Sequence, residues 1–137
     1  MILTDAGPLV ALIDRSDAGH EACVAALDRI TLPMVTTPPA FTEAMYLLGR
    51  FTGWAGQRVL WDQLEGGNLA VEEMTTALLS RTRELMQKYS DRPMDLADAT
   101  LVAVAERDSH RQIFTLDSTD FGIYRLRGRR TLRVVPG

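Results

Sequence analysis

Short apolar runs of strand length recur along the chain, each followed by longer stretches in which apolar residues return every three or four positions. Ile2-Leu3-Thr4 reads as a first strand, and Gly7 to Ile13 as a helix whose Pro8 lies in the first turn, where proline is tolerated. From His20 to Ile30, Cys23, Val24, Leu27 and Ile30 mark one face of an amphipathic helix. Met34 to Thr37 is a second strand, stopped by Pro38-Pro39. A helix through Leu48 follows, then another from about Ala55 to Leu64 that Gly66-Gly67 ends. Leu69-Ala70-Val71 is a third strand, Thr75 to about Tyr89 a long helix, and Asp95 to Glu106 a shorter, very apolar one. Ile113 to Leu116 and Leu132 to Val135 complete the set as fourth and fifth strands. Strands that alternate with helices build an α/β fold of three layers, helices on both faces of a central, mostly parallel sheet of about five strands. Without an internal repeat or linker, residues 1–137 are expected to form a single domain. In such sheets ligands bind beyond the carboxyl ends of the strands, where strand order reverses.

Composition narrows the chemistry. With 46% hydrophobic and 24% charged residues over 137 positions, the chain can bury a sizeable core without disulfides or a structural metal. Cys23 has no second cysteine to pair with. Cys23, His20 and His110 are too few to close a zinc site, and they are read as structural or surface residues. Any metal must therefore be held by oxygen. Met1 to Asp5 shows no basic region ahead of an apolar core, and no run approaches eighteen apolar residues. The expectation is a cytoplasmic protein without a membrane partner. The net charge of -3 hides an asymmetry, because Arg125, Arg127, Arg129, Arg130 and Arg133 crowd the last thirteen residues, which hold no acid. That tail reads first as a solvated edge, and second as a grip on phosphates.

Four acids sit where chemistry is expected. Asp5 closes the first strand and Asp117 follows the fourth; each comes after a threonine, Thr4 and Thr115, and each precedes a helix, so capping explains them as well as a site does. Asp117 with Asp120 even imitates a capping box. Asp98 lies in Leu96-Ala97-Asp98-Ala99-Thr100-Leu101-Val102-Ala103-Val104-Ala105, a helix apolar on nearly every side, where an ionised carboxylate needs a cation or donors. A first-turn acid on a helix capped by Asp95 is the plainer alternative. Glu43, with Ala40 and Leu47 at i−3 and i+4, is on the rim of an apolar stripe and by itself reads as solvated. Gathered at one sheet edge, the four would repel one another unless protonated or bridged by a divalent cation. Oxygen ligands of this kind suit Mg²⁺ or Mn²⁺, which can activate a water for hydrolysis of a phosphodiester.

The ordered set Ile2-Leu3-Thr4-Asp5, Phe41-Thr42-Glu43-Ala44, Met94-Asp95-Leu96-Ala97-Asp98-Ala99-Thr100-Leu101 and Phe114-Thr115-Leu116-Asp117-Ser118-Thr119-Asp120-Phe121 resembles the acidic signature of PIN-domain ribonucleases, and most of all VapC-like toxins of type II toxin-antitoxin systems. The resemblance spans essentially the whole chain. It implies a Mg²⁺- or Mn²⁺-dependent endoribonuclease, a homodimer, and a cognate antitoxin whose C-terminal segment fills the active-site groove. Asp5, Glu43, Asp98 and Asp117 would hold the metal, Thr115 would orient a ligand or water, and Asp120 would be an auxiliary acid. Asp98 is preferred to Asp95 because the apolar run follows it directly. Tyr46, Phe51, Trp54 and Trp61 lie in a region resembling the antitoxin groove, and core packing explains them equally well.

Other phosphate chemistries fit less well. A receiver domain needs a lysine near the last strands, and Lys88 is the sole lysine, on a helix before Asp98. A P-loop lacks its Gly-Lys-Ser/Thr element. A phosphatase with an Asp nucleophile wants an acid two residues on, where Gly7 stands. The main alternative is a catalytically inactive PIN-fold module that binds RNA or protein.

Overall fold

The computed structural model describes residues 1–92, 94–127 and 130–136, so Arg129 of the basic tail lies outside the described residues. Five short strands, β1 (Ile2–Thr4), β2 (Met34–Thr36), β3 (Leu69–Val71), β4 (Gln112–Phe114) and β5 (Arg133–Val135), form one sheet in the order β3-β2-β1-β4-β5. All four pairings are parallel. The chain builds outward from β1 through β2 to β3, then returns to β1's other side for β4 and β5. The order therefore reverses between β1 and β4, which opens a crevice beyond their carboxyl ends.

Alternate strand residues feed two cores. Ile2, Met34 and Phe114 face a layer formed by α1 (Ala6–Ile13), α2 (His20–Ala26), α3 (Pro38–Thr52) and α4 (Trp54–Glu65). Leu3 and Ile113 face α5 (Thr76–Lys88), α6 (Leu96–Asp108) and α7 (Ser118–Ile123). This is the three-layer arrangement expected from the alternation of elements. The apolar character of α6 is explained by its surroundings: it lies under α5 and against α3 and β1, and buries Ala97 and every residue from Ala99 to Ala105.

The fourth strand, expected over Ile113 to Leu116, is Gln112–Phe114, which leaves Thr115 and Leu116 beyond its end, and two helices also depart from expectation. The helix foreseen from His20 to Ile30 ends at Ala26 and tightens into a 3₁₀ turn over Leu27–Arg29. The helix expected to stop near Leu48 runs on to Thr52, because it ends at Gly53, whose φ of 70° turns the chain directly into α4. Over Gly49 lies the Gln57 side chain of α4, whose amide donates to the Met45 carbonyl at 3.2 Å.

One buried contact fixes α3 against α6. The Thr100 hydroxyl donates to the Ala97 carbonyl at 2.8 Å, so its oxygen accepts from Thr37, the residue preceding α3, also at 2.8 Å. Both threonines are buried. Thr100→Val keeps the shape but leaves the Thr37 hydroxyl without a partner, and is expected to cost about 1–2 kcal/mol in urea unfolding. An unchanged midpoint would show that the pair does not join the two helices.

Candidate active site

The crevice between β1 and β4 is lined by Asp5, Ala6, Gly7, Glu43, Asp95, Asp98, Leu116, Asp117 and Asp120. All five carboxylates expected from the sequence are here, joined by Asp95. Each arrives on a different piece of local structure. Asp5 follows β1 and caps α1, accepting from the Ala6 amide at 2.8 Å. Asp95 caps α6 by accepting from the Asp98 amide at 2.8 Å, which sets Asp98 in the first turn behind it. Asp117 caps α7 by accepting from the Asp120 amide at 3.0 Å. Capping and membership of the cleft are thus not alternatives: the amino ends of α1, α6 and α7 converge, and their amides offset part of the negative charge gathered there.

Thr115 ties the strand ends together. It is 1% exposed; its hydroxyl donates to Asp5 Oδ2 at 3.0 Å and accepts from the Asp117 amide at 3.0 Å. Both roles follow from its place one residue beyond β4, level with the end of β1, where the Asp5 amide bonds the Phe114 carbonyl. Glu43, on the second turn of α3, is the most open of the expected acids and reaches the cleft from its rim.

Crowding shows in the acidities. Burial, opposed by the Ala6 amide and the Thr115 hydroxyl, raises the pKa of Asp5 above its ordinary value. Burial, then the charges of Asp95 and Asp5, push Asp98 up to about 7. Glu43 is raised by burial and by Asp5 and Asp95, and Asp120 by burial and its neighbour Asp117. Arg92, 3.8 Å from Asp120, is the cation at the margin, and none lines the cleft among the described residues.

Oxygen atoms of Asp98, Asp117 and Asp120 lie within 4.8 Å of one another. Acids held this close, partly desolvated and without an internal counter-charge, fit a hard divalent cation with oxygen ligands.

Sequence reasoning missed one residue that touches this group. The Tyr124 hydroxyl donates to Asp98 Oδ2 at 2.9 Å. No local pattern reveals it, since the two residues are 26 positions apart and join only when α7 folds onto α6. Tyr46, Phe51 and Trp54 are each more than 60% exposed and Trp61 is 41% exposed, which rules out the core-packing explanation for the four. The tail arginines are partly structural: Arg125 donates to the carbonyls of Gly122, Ile123 and Tyr124 at the end of α7, and Arg127 approaches Glu106 at 3.8 Å. Cys23 is buried, with its thiol pushed up to about 11 by desolvation, and His20 Nδ1 meets the Ala11 carbonyl at 2.7 Å. His110 is half-buried and held below its ordinary pKa by desolvation.

The fold and the cleft together define an α/β protein with an acidic, oxygen-lined cleft at the switch point of its sheet. The chain belongs to the PIN domain family, whose model matches residues 2–126. Ribonuclease VapC26 of Mycobacterium tuberculosis is 27% identical to it over 135 residues, covering 98% of this chain and all of that protein. VapC20 of Mycobacterium tuberculosis, described as a sarcin-ricin loop cleaving toxin, superposes with a TM-score of 0.79 at 20% identity, over 87% of this chain and 92% of that one. A toxin-antitoxin complex from Klebsiella pneumoniae contains a chain matching with a TM-score of 0.70 at 18% identity, over 90% and 92% of the two chains. No described helix is long and apolar enough to cross a membrane.

Proposed function

We propose that this chain is a metal-dependent endoribonuclease, the toxin of a type II toxin-antitoxin pair, hydrolysing phosphodiester bonds within RNA. The observation that carries the reading is the convergence of six carboxylates on one cleft with no basic side chain lining it among the described residues. The family membership and the named ribonuclease among its relatives support it. Asp5, Glu43, Asp98 and Asp117 would hold Mg²⁺ or Mn²⁺, and Asp120, close to Asp98 and Asp117, would assist. When bound, such a cation makes a water nucleophilic near neutral pH and neutralises charge on the scissile phosphate.

The protein's own part is positioning. Thr115 holds Asp5 through its Oδ2 and fixes the start of the α7 turn through the Asp117 amide, so the ends of β1 and β4 move as one. Leu116 and Ala6 line the apolar part of the cleft beside the acids. An acidic cleft repels RNA, so the phosphate is admitted only where the acids are neutralised. The exposed aromatics of α3 and α4 are the proposed seat of an antitoxin, with a homodimer as the working unit and the cytoplasm as the location. Residues 1–137 would form a single domain around this cleft.

The test strips the purified, antitoxin-free protein of metal and incubates it with structured RNA, with and without Mn²⁺ or Mg²⁺. Internal cuts that need the cation are expected. Metal binding with no cutting would sink the nuclease reading in favour of a binding module, and cutting indifferent to EDTA would place the activity elsewhere.

A further inference from the structure

Asp98 stands in the first turn of α6 between buried Ala97 and Ala99, with a carboxylate oxygen within 4.8 Å of oxygens of Asp117 and Asp120. Among the described residues, the hydrogen bond its side chain accepts comes from Tyr124, at Oδ2, leaving Oδ1 uncommitted. Tyr124 is 2% exposed and lies just beyond the last turn of α7. Its ring is held edge-on by Tyr89, with centroids 5.2 Å apart, and by Phe121 at 5.4 Å. Its backbone is held as well, the amide donating to the Asp120 carbonyl at 3.1 Å and the carbonyl accepting from Arg125 at 3.2 Å. Arg125 is anchored in turn, its amide donating to the Tyr89 hydroxyl at 2.8 Å.

A phenylalanine would fill this place equally well, so the hydroxyl is not there for packing. Its single proton is directed at a carboxylate across an inter-helix contact, and it spans the two elements that carry the closest group of acids. Asp98 belongs to α6; Asp117 and Asp120 belong to the start of α7. The bond therefore fixes both the rotation of one carboxylate and the approach of the helix bearing the other two. Outer donors that orient ligating carboxylates are a general feature of metal sites, and removing one weakens binding about 10–100-fold.

We infer that Tyr124 is a positioning residue of the cation site, holding Asp98 through Oδ2 in the orientation in which it ligates, as Thr115 holds Asp5. The inference rests on the cation site proposed above. It is tested on the metal-stripped full chain by titrating Mn²⁺ and reading the free ion by electron paramagnetic resonance, in the wild type, Tyr124→Phe and Tyr89→Phe. Tyr89→Phe loosens the same aromatic cluster without touching Asp98. Tyr124→Phe is expected to weaken Mn²⁺ binding about 10-fold or more, with Tyr89→Phe within about twofold of wild type. Wild-type affinity in Tyr124→Phe would overturn the inference, and so would an equal loss in Tyr89→Phe, which would mark the effect as packing. Absence of Mn²⁺ binding by the wild type would remove the cation site itself and this inference with it.

Discussion

Asp98→Asn is expected to reduce metal-dependent RNA cleavage by about 1000-fold, equivalent to about 4 kcal/mol of transition-state stabilisation, while making the metal-free protein more stable at pH 8. The two effects share one cause. Asp98 is half-buried beside Asp95, Asp5 and Asp117, and its pKa of about 7 means that ionising it in the folded protein is unfavourable. An amide of the same shape accepts the Tyr124 hydroxyl bond and carries no charge, so the repulsion disappears together with the ligand. Cleavage assays in Mn²⁺ and thermal melts in EDTA on the same preparation check both halves. A variant that cuts RNA normally would remove Asp98 from the site, whereas one that is inactive and also less stable would indicate damage to the fold.

The second large effect is a dependence of metal-free stability on pH. Asp98 binds its proton more tightly folded, with a pKa near 7, than unfolded, where its ordinary value is 3.8. Between those limits the folded state holds protons that the unfolded state has released, so stability falls as pH rises. The contribution of Asp98 is fully present below about pH 4 and has been lost by about pH 8. Asp5, Glu43 and Asp120 are shifted in the same direction and add to the slope, while His110, lowered by desolvation, opposes part of it below about pH 6.5. The nominal shift of Asp98 amounts to about 4 kcal/mol, and solvent reaching this partly open cleft reduces that to roughly 1–2 kcal/mol. For a chain of this length the melting temperature in EDTA should drop by roughly 3–8 °C between pH 5 and pH 8. Saturating Mn²⁺ should abolish the decline, because a bound cation favours the ionised acids. A melting temperature that rises over this interval in EDTA would mean that the cleft acids are not coupled.

Much of this was legible from residue order. Strand runs separated by helical periods fix a parallel three-layer sheet because few other arrangements bury both faces, and the acids stand next to strand ends, where the crevice has to form. Asp5 and Asp117 could be placed from their own neighbourhoods. Glu43 could not: its surroundings on α3 look like any solvated rim, and its place in the cleft depends on how Thr37 and Thr100 seat α3 against α6. The choice between Asp95 and Asp98 was open to sequence only as an apolar run. In the structure both line the crevice, one as a cap and the other behind it. Tyr124 was out of reach because an inter-helix hydrogen bond leaves no periodic trace. The extension of α3 to Thr52 was missed for a different reason, since the residue that ends it, Gly53, does so through a positive φ that the apolar period does not mark.

Asp5 and Asp117, two of the proposed cation ligands, each hold the first turn of a helix, so the inventory of chemistry and the inventory of shape overlap at these positions. Asparagine caps a helix about as well as aspartate does, and alanine does not, at a cost of about 1 kcal/mol for each cap lost. With these two acids as proposed ligands, silencing this protein would be a matter of single nitrogen-for-oxygen exchanges that the fold barely registers. A lineage that drifted through such exchanges would keep every surface its partners recognise, and a laboratory wanting an inert copy for partner capture should make the same exchange and avoid truncating the side chain.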